Sequence, residues 1–171
     1  MKQLEAYSVS IGVLGALDTY LTATLIKVPV WVTFIAWASF FILGGKLAGL
    51  KQSIASNLMG IAIASLTLLV IAGLGDNPLV VAICVGVGSA AMVQASKLPL
   101  LSAIPAIVWG FASTVGTTIA TDKPITTVGI DHPALVAATA MVLGGIFGYL
   151  SERWGDALTT PTATSRERFR V

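Results

Sequence analysis

Residues 133–151 read Pro133-Ala134-Leu135-Val136-Ala137-Ala138-Thr139-Ala140-Met141-Val142-Leu143-Gly144-Gly145-Ile146-Phe147-Gly148-Tyr149-Leu150-Ser151. The run contains no acid, lysine, arginine or histidine. The hydrocarbon core of a bilayer takes about 20 apolar residues in a helix, so this stretch has the length and composition of a membrane span. Apolar runs at roughly 6–26, 28–45, 52–73, 77–96 and 98–119 have the same character. The sequence thus predicts an all-α membrane protein of six transmembrane helices. They fill residues 1–155, and a basic cytoplasmic tail follows at 156–171, with Arg166, Arg168 and Arg170.

Composition supports this reading. The chain has 171 residues, 56% hydrophobic and 11% charged. A soluble domain carries about 25% charged residues, so these few charges could not coat a water-facing surface. A soluble enzyme and a disordered chain are both excluded. The net charge of +2 gives no footprint for nucleic acid. The N-terminal stretch carries no small-residue cleavage site and is read as a mature helix.

Charge also sets an orientation. With the N-terminus inside, Lys2, Lys46, Lys51, Lys97, Arg153, Arg166, Arg168 and Arg170 fall on the cytoplasmic side, and only Lys27 and Lys123 fall outside. Eight against two follows the positive-inside rule and puts both ends in the cytoplasm. Pro29, Pro78, Pro99 and Pro133 fall at helix starts, where a missing N–H costs little. Pro105 falls inside the fifth span and is expected to kink it. The longest connection, roughly 120–132, is external and either caps a vestibule or simply joins two helices.

Six spans divide into two inverted sets of three. Lys27-Val28-Pro29-Val30 opens the second span and Lys97-Leu98-Pro99-Leu100 the fifth; Trp37 and Trp109 follow. Met59-Gly60 and Leu143-Gly144 mark the third and sixth. Such a 3+3 inverted repeat would place spans two and five about a site at the midplane.

Positions three, four and seven apart share a helix face. Thr33, Trp37, Phe40 and Gly44 do so in span two, with Phe41 beside them. Ser102, Pro105, Trp109, Ser113 and Gly116 do so in span five. Ser53, Asn57, Gly60, Ala64 and Thr67 form a stripe in span three, and Ser8, Gly12, Gly15, Thr19 and Thr22 one in span one. Two readings fit these stripes. Hydroxyls and aromatic faces could line a narrow uncharged pathway, or small residues could let helices approach closely. The candidate pore residues are Thr33, Trp37, Phe40, Phe41, Asn57, Ser102, Trp109 and Ser113. The GxxxG spacings Gly144/Gly148 and Gly45/Gly49 suggest close helix or oligomer contacts. Trp31 and Tyr149 sit where interface anchors belong.

Asp18 is the one acid well inside a span. A charge there costs about 2.5–3.5 kcal/mol on insertion scales, so it must face protein or water or hold its proton. The expected roles are a polar contact between helices or a vestibule lining. No metalloprotease, serine-hydrolase, P-loop or CxxC motif occurs. Cys84 and His132 are single, so neither a disulfide nor a histidine-rich metal site is expected, and no cofactor is implied. Span interiors lack a lysine, an arginine and a pair of acids, the marks that ion coupling leaves.

Four pieces of the sequence carry a family resemblance. They are Trp31 and Phe34 with Phe41; Gly49-Leu50; Lys97 with Leu100-Leu101-Ser102-Ala103-Ile104-Pro105 and Gly110; and Leu143-Gly144-Gly145-Ile146-Phe147-Gly148-Tyr149. Together they cover most of 28–150, and the last is the most specific. The pattern resembles a widespread family of small bacterial inner-membrane proteins long classed as a domain of unknown function, which includes small trimeric urea channels. The resemblance implies a homotrimer in the bacterial inner membrane, with a pore in each protomer or one shared by them. It supplies no selectivity filter, and span one with Asp18 departs from it. The function expected is passive passage of urea or a similar small neutral amide, with no enzymatic activity. The alternatives are an ion-coupled transporter or exporter and a non-transporting membrane scaffold.

Overall fold

The computed structural model describes residues 1–160. The expected tail lies largely at 161–171, outside the described residues. Six α-helices follow one another and no strand occurs among the described residues. They are α1 (Gln3–Leu21), continued as a π-helical turn over Thr22–Ile26, α2 (Val30–Ile42), α3 (Lys46–Leu74), α4 (Pro78–Ala95), α5 (Ile104–Thr121) and α6 (Pro133–Leu158). Five of them are long and apolar enough to cross a bilayer; α2, with 13 residues, is shorter. This is the architecture of a multi-pass membrane protein.

The helix ends follow local chemistry. Pro78 and Pro133 open α4 and α6, after Asn77 and His132, whose side chains accept the N–H of Leu79 and Ala134. Helix α2 stops at Gly44 and Gly45, with φ of +85° and +66°, which a glycine adopts without steric cost. Gly45 is therefore a turn residue, lying against Glu152 of α6, and Gly49, in the first turn of α3, lies against the carbonyls of Leu43 and of Phe40 at the end of α2.

The fifth span departs from expectation. Pro99 heads a separate 3-10 turn, Pro99–Leu101, and α5 begins only at Ile104. Pro105 therefore sits in the first helical turn, where its missing N–H has no partner to lose, and introduces no kink. Ser102 lies outside the helix and is exposed, so Ser102, Pro105, Trp109 and Ser113 do not make one continuous helical face. Helices α3 and α6 are longer than their expected spans and extend past the apolar run, α3 at its N-terminal end and α6 at its C-terminal end.

The closest packing joins α3 with α5 and α2 with α6; α1 lies on α6, α4 lies on α3, and α3 also meets α6. Glycines allow the closest approaches. A Cβ at Gly60 would strike the Ile107 carbonyl, and one at Gly110 the Asn57 carbonyl, so α3 and α5 touch backbone to backbone. A Cβ at Gly144 would strike the Thr33 carbonyl, and one at Gly148 would lie 2.8 Å from the Phe40 ring. The Gly144/Gly148 spacing thus serves a contact inside the protomer. Two apolar clusters fill the rest: Val32, Ala36, Ile61, Ala140 and Met141 on one side, Ala64, Met92, Leu101, Ile107 and Phe111 on the other. Helices α1 and α4 are peripheral, and α4 exposes Leu79, Ile83, Val85, Val87 and Val93.

Candidate functional site

The interior of the bundle holds a seam of uncharged polar side chains. Ser10, Thr33, Ser39, Ser53, Ser56, Asn57, Ser113, Thr114, Thr117 and Ser151 are fully buried. Among the described residues Asp18 is the one buried acid, and no Lys, Arg or His side chain is buried. Burying polar groups in an apolar medium costs several kcal/mol unless they are paired, so their partners decide what the seam can do.

Asp18 of α1 meets Thr33 of α2 through a short side-chain hydrogen bond. The Thr33 hydroxyl also lies 2.7 Å from the Val30 carbonyl. The other Asp18 oxygen, Oδ1, has no partner among the described residues. The expected polar contact between helices is therefore present, with one oxygen unspent.

A second group lies deeper along α2 and α3. Ser53 Oγ donates to Ser39 Oγ at 2.7 Å, and Asn57 Nδ2 donates to Ser53 Oγ at 3.2 Å and to Ser39 Oγ at 3.4 Å. Asn57 Oδ1, Ser56 Oγ and Ser113 Oγ have no partner among the described residues. Asn57 thus presents an unpaired acceptor on the side chain that also reaches the hydroxyls of Ser39 and Ser53.

The aromatic side chains of α2 are spent on packing. Trp37 stacks on Phe147 of α6 with centroids 5.8 Å apart, and its indole N–H donates to Ser151 Oγ at 3.0 Å. Phe40 is fully buried against Gly148, edge-on to Phe41 and Tyr149. Phe41 and Trp109 are half-buried, and the ring partners of Trp37 are Phe34 and Phe147. Ser102 accepts from Gln52 Nε2 at 2.8 Å in the connection before α5. Of the expected pore residues, Thr33 is brought to Asp18 and Asn57 into the serine group. Trp37 and Phe40 are bound to α6, and Ser102 stands apart.

Ser39 and Ser56 escaped the sequence reading as site residues, and Ser53 entered it only within the span-three stripe. Ser39 lies off the Thr33–Trp37–Phe40 stripe, and Ser53 and Ser56 resemble ordinary small residues of a packing face. The signal that could have found Ser39 is its place as a serine inside an apolar run, as Ser113 is in span five. Trp31 lies over Gly116 of α5.

The connection after α5 is tied by Lys123 to Asp131 at 2.6 Å. Its residues 125–129, with Leu58, Ile61, Ser65 and His132, line a cleft of about 810 Å³. No cluster of three metal-ligating side chains occurs among the described residues.

The chain belongs to the DUF1097 family, described as proteins of unknown function, which it matches over residues 8–156. No curated protein and no solved structure matches it. The expectation of an uncharacterised family is met; the family's description names no substrate.

Proposed function

We propose that this protein is a passive pathway for a small neutral amide, urea foremost, across the bacterial inner membrane. The observation that carries the reading is the buried seam: four fully buried side chains, Asp18, Ser56, Asn57 and Ser113, each leave a polar atom unpaired. Empty, such atoms forfeit hydrogen bonds in a medium without water. A solute rich in donors and acceptors restores them. No buried cation or pair of acids accompanies them among the described residues, and a neutral cargo needs none.

Six crossings with both ends cytoplasmic fit this reading. Helix α2 rises only about 20 Å, less than the hydrocarbon thickness, and the non-helical Lys27–Pro29 segment, with Lys27 left-handed, precedes it on this crossing. A 3+3 inverted repeat is supported by the packing. Exchanging α1 with α4, α2 with α5 and α3 with α6 turns the α2–α6 contact into α5–α3, and α1–α6 into α4–α3. The homotrimer rests on the family resemblance, with the apolar outer faces of α1 and α4 available to lipid or to a neighbouring copy.

Stopped-flow shrinkage of proteoliposomes tests the function. Urea permeability well above that of empty liposomes is expected; permeability equal to theirs refutes it. A proton-coupled transporter is the second reading, favoured by Asp18. One Thr33 hydrogen cannot serve both the Val30 carbonyl and Asp18, so the contact is satisfied when the carboxyl supplies a hydrogen. That reading requires a proton gradient to drive uptake and Asp18→Asn to abolish the drive.

A further inference from the structure

Two glycine contacts set the register between the two halves. Gly60 of α3 lies against the Ile107 carbonyl of α5, and Gly144 of α6 lies against the Thr33 carbonyl of α2. Ile107 and Thr33 are each the fourth residue of their helix. Aligned through them, Ala36-Trp37-Ala38-Ser39 falls on Gly110-Phe111-Ala112-Ser113. The pairing of Lys27-Val28-Pro29 with Lys97-Leu98-Pro99 is four residues out of this register, because Pro99 belongs to the separate 3-10 turn.

In this register Ser39 and Ser113 are equivalent, each the tenth residue of its helix and each fully buried. Asn57 connects them: its amide donates to Ser39, and its backbone lies against Gly110, one turn before Ser113 on α5. The hydrogen-bond inventory of this group is incomplete on both sides. Ser39 and Ser53 share one bond, so one hydroxyl hydrogen of the pair has no acceptor among the described residues. Among the described residues Ser113 Oγ has no partner, and Asn57 Oδ1 accepts nothing.

We infer that Ser39, Asn57 and Ser113 form a binding position for one small neutral amide at the centre of the repeat. The inference rests on the pathway reading above. An amide supplies both missing halves: its N–H fits the Asn57 carbonyl oxygen, and its carbonyl accepts from the serine hydroxyls.

The test uses the full-length protein in proteoliposomes, with urea and water permeabilities measured side by side and flux normalised to reconstituted protein. Wild-type urea flux is expected to saturate. Ser113→Ala and Asn57→Leu should raise the half-saturating urea concentration about five- to tenfold, the loss of one neutral hydrogen bond. Ser113→Ala removes a hydroxyl that bonds nothing in the protein, so the variant should fold and melt no lower than wild type. Asn57→Leu could disturb α3; Ser39→Ala and Ser113→Cys then carry the test. Saturable wild-type urea flux with unchanged half-saturation in Ser113→Ala and Ser39→Ala overturns the binding position and leaves the pathway standing. Equal loss of water and urea permeability overturns amide recognition, since the position then holds water. Absence of wild-type urea flux overturns the pathway reading itself, and the inference with it.

Discussion

Replacing Gly110 by alanine tests the α3–α5 crossing directly. The added methyl would meet the Asn57 carbonyl carbon at 2.7 Å and its Cα at 2.9 Å, besides the carbonyl oxygen. These are backbone atoms in the middle of a helix, so no rotamer change relieves the clash. Relief requires α5 to move away from α3, opening the contact at Gly60 and Ile107 as well. Overpacking of a core by a methyl group costs about 1–3 kcal/mol, and a backbone clash belongs at the upper end. Alanine returns up to about 1 kcal/mol through its helix propensity. The net loss expected is about 2 kcal/mol. For a chain of this length that corresponds to about 4–8 °C in Tm. The control is Gly73→Ala in α3, where nothing lies within 4 Å of the new methyl. It keeps the propensity gain without the clash and should melt at or slightly above wild type. The assay is thermal unfolding of purified protein in mild detergent, followed by intrinsic tryptophan fluorescence. An unchanged Tm in Gly110→Ala, or equal losses in both variants, refutes the backbone contact.

Ser151→Ala leaves the Trp37 indole N–H without an acceptor inside the bundle and should cost about 1–3 kcal/mol, read as a lowered Tm together with a shifted tryptophan emission. Glu152 of α6 accepts the Lys46 N–H at 2.7 Å and so caps the first turn of α3; Glu152→Ala should cost about 0.5–2 kcal/mol in thermal unfolding, and Glu152→Gln, which keeps an acceptor oxygen, distinctly less. Asp18→Asn keeps a hydrogen-bonding partner for Thr33 and should leave urea permeability and its independence of a pH gradient unchanged, whereas Thr33→Val leaves Asp18 unpaired and should lower the Tm.

Local chemistry explains which features of the fold could be read directly. Apolar runs without charge gave the helices, because lipid admits only elements that satisfy their own backbone. Pro78 and Pro133 gave two helix starts correctly, since a proline in the first turn costs nothing. Pro99 and Pro105 misled for the same reason: each can open a helical turn, and sequence cannot say which of two prolines six residues apart opens the long one. The site was legible only in part. Asn57 and Ser113 stood out as polar residues on apolar helices. Trp37 looked equally suited to a pore, yet it is held by Phe147 and Ser151, more than a hundred residues further along the chain. Ser39 gained significance only when Ser53 and Asn57 of the next helix were found beside it.

The sequence by itself determined that this chain is a bundle of membrane helices and that its interior carries almost no charge. Both follow from composition and period, which act residue by residue in the solvent each helix meets. Only the tertiary structure decided which polar atoms are spent. Asp18 found Thr33, Asn57 found Ser39 and Ser53, and Ser56 and Ser113 found nothing among the described residues. The reason is geometric: a hydrogen bond forms over about 3 Å, and glycine contacts such as Gly60 on Ile107 and Gly144 on Thr33 fix which helix turns come that close.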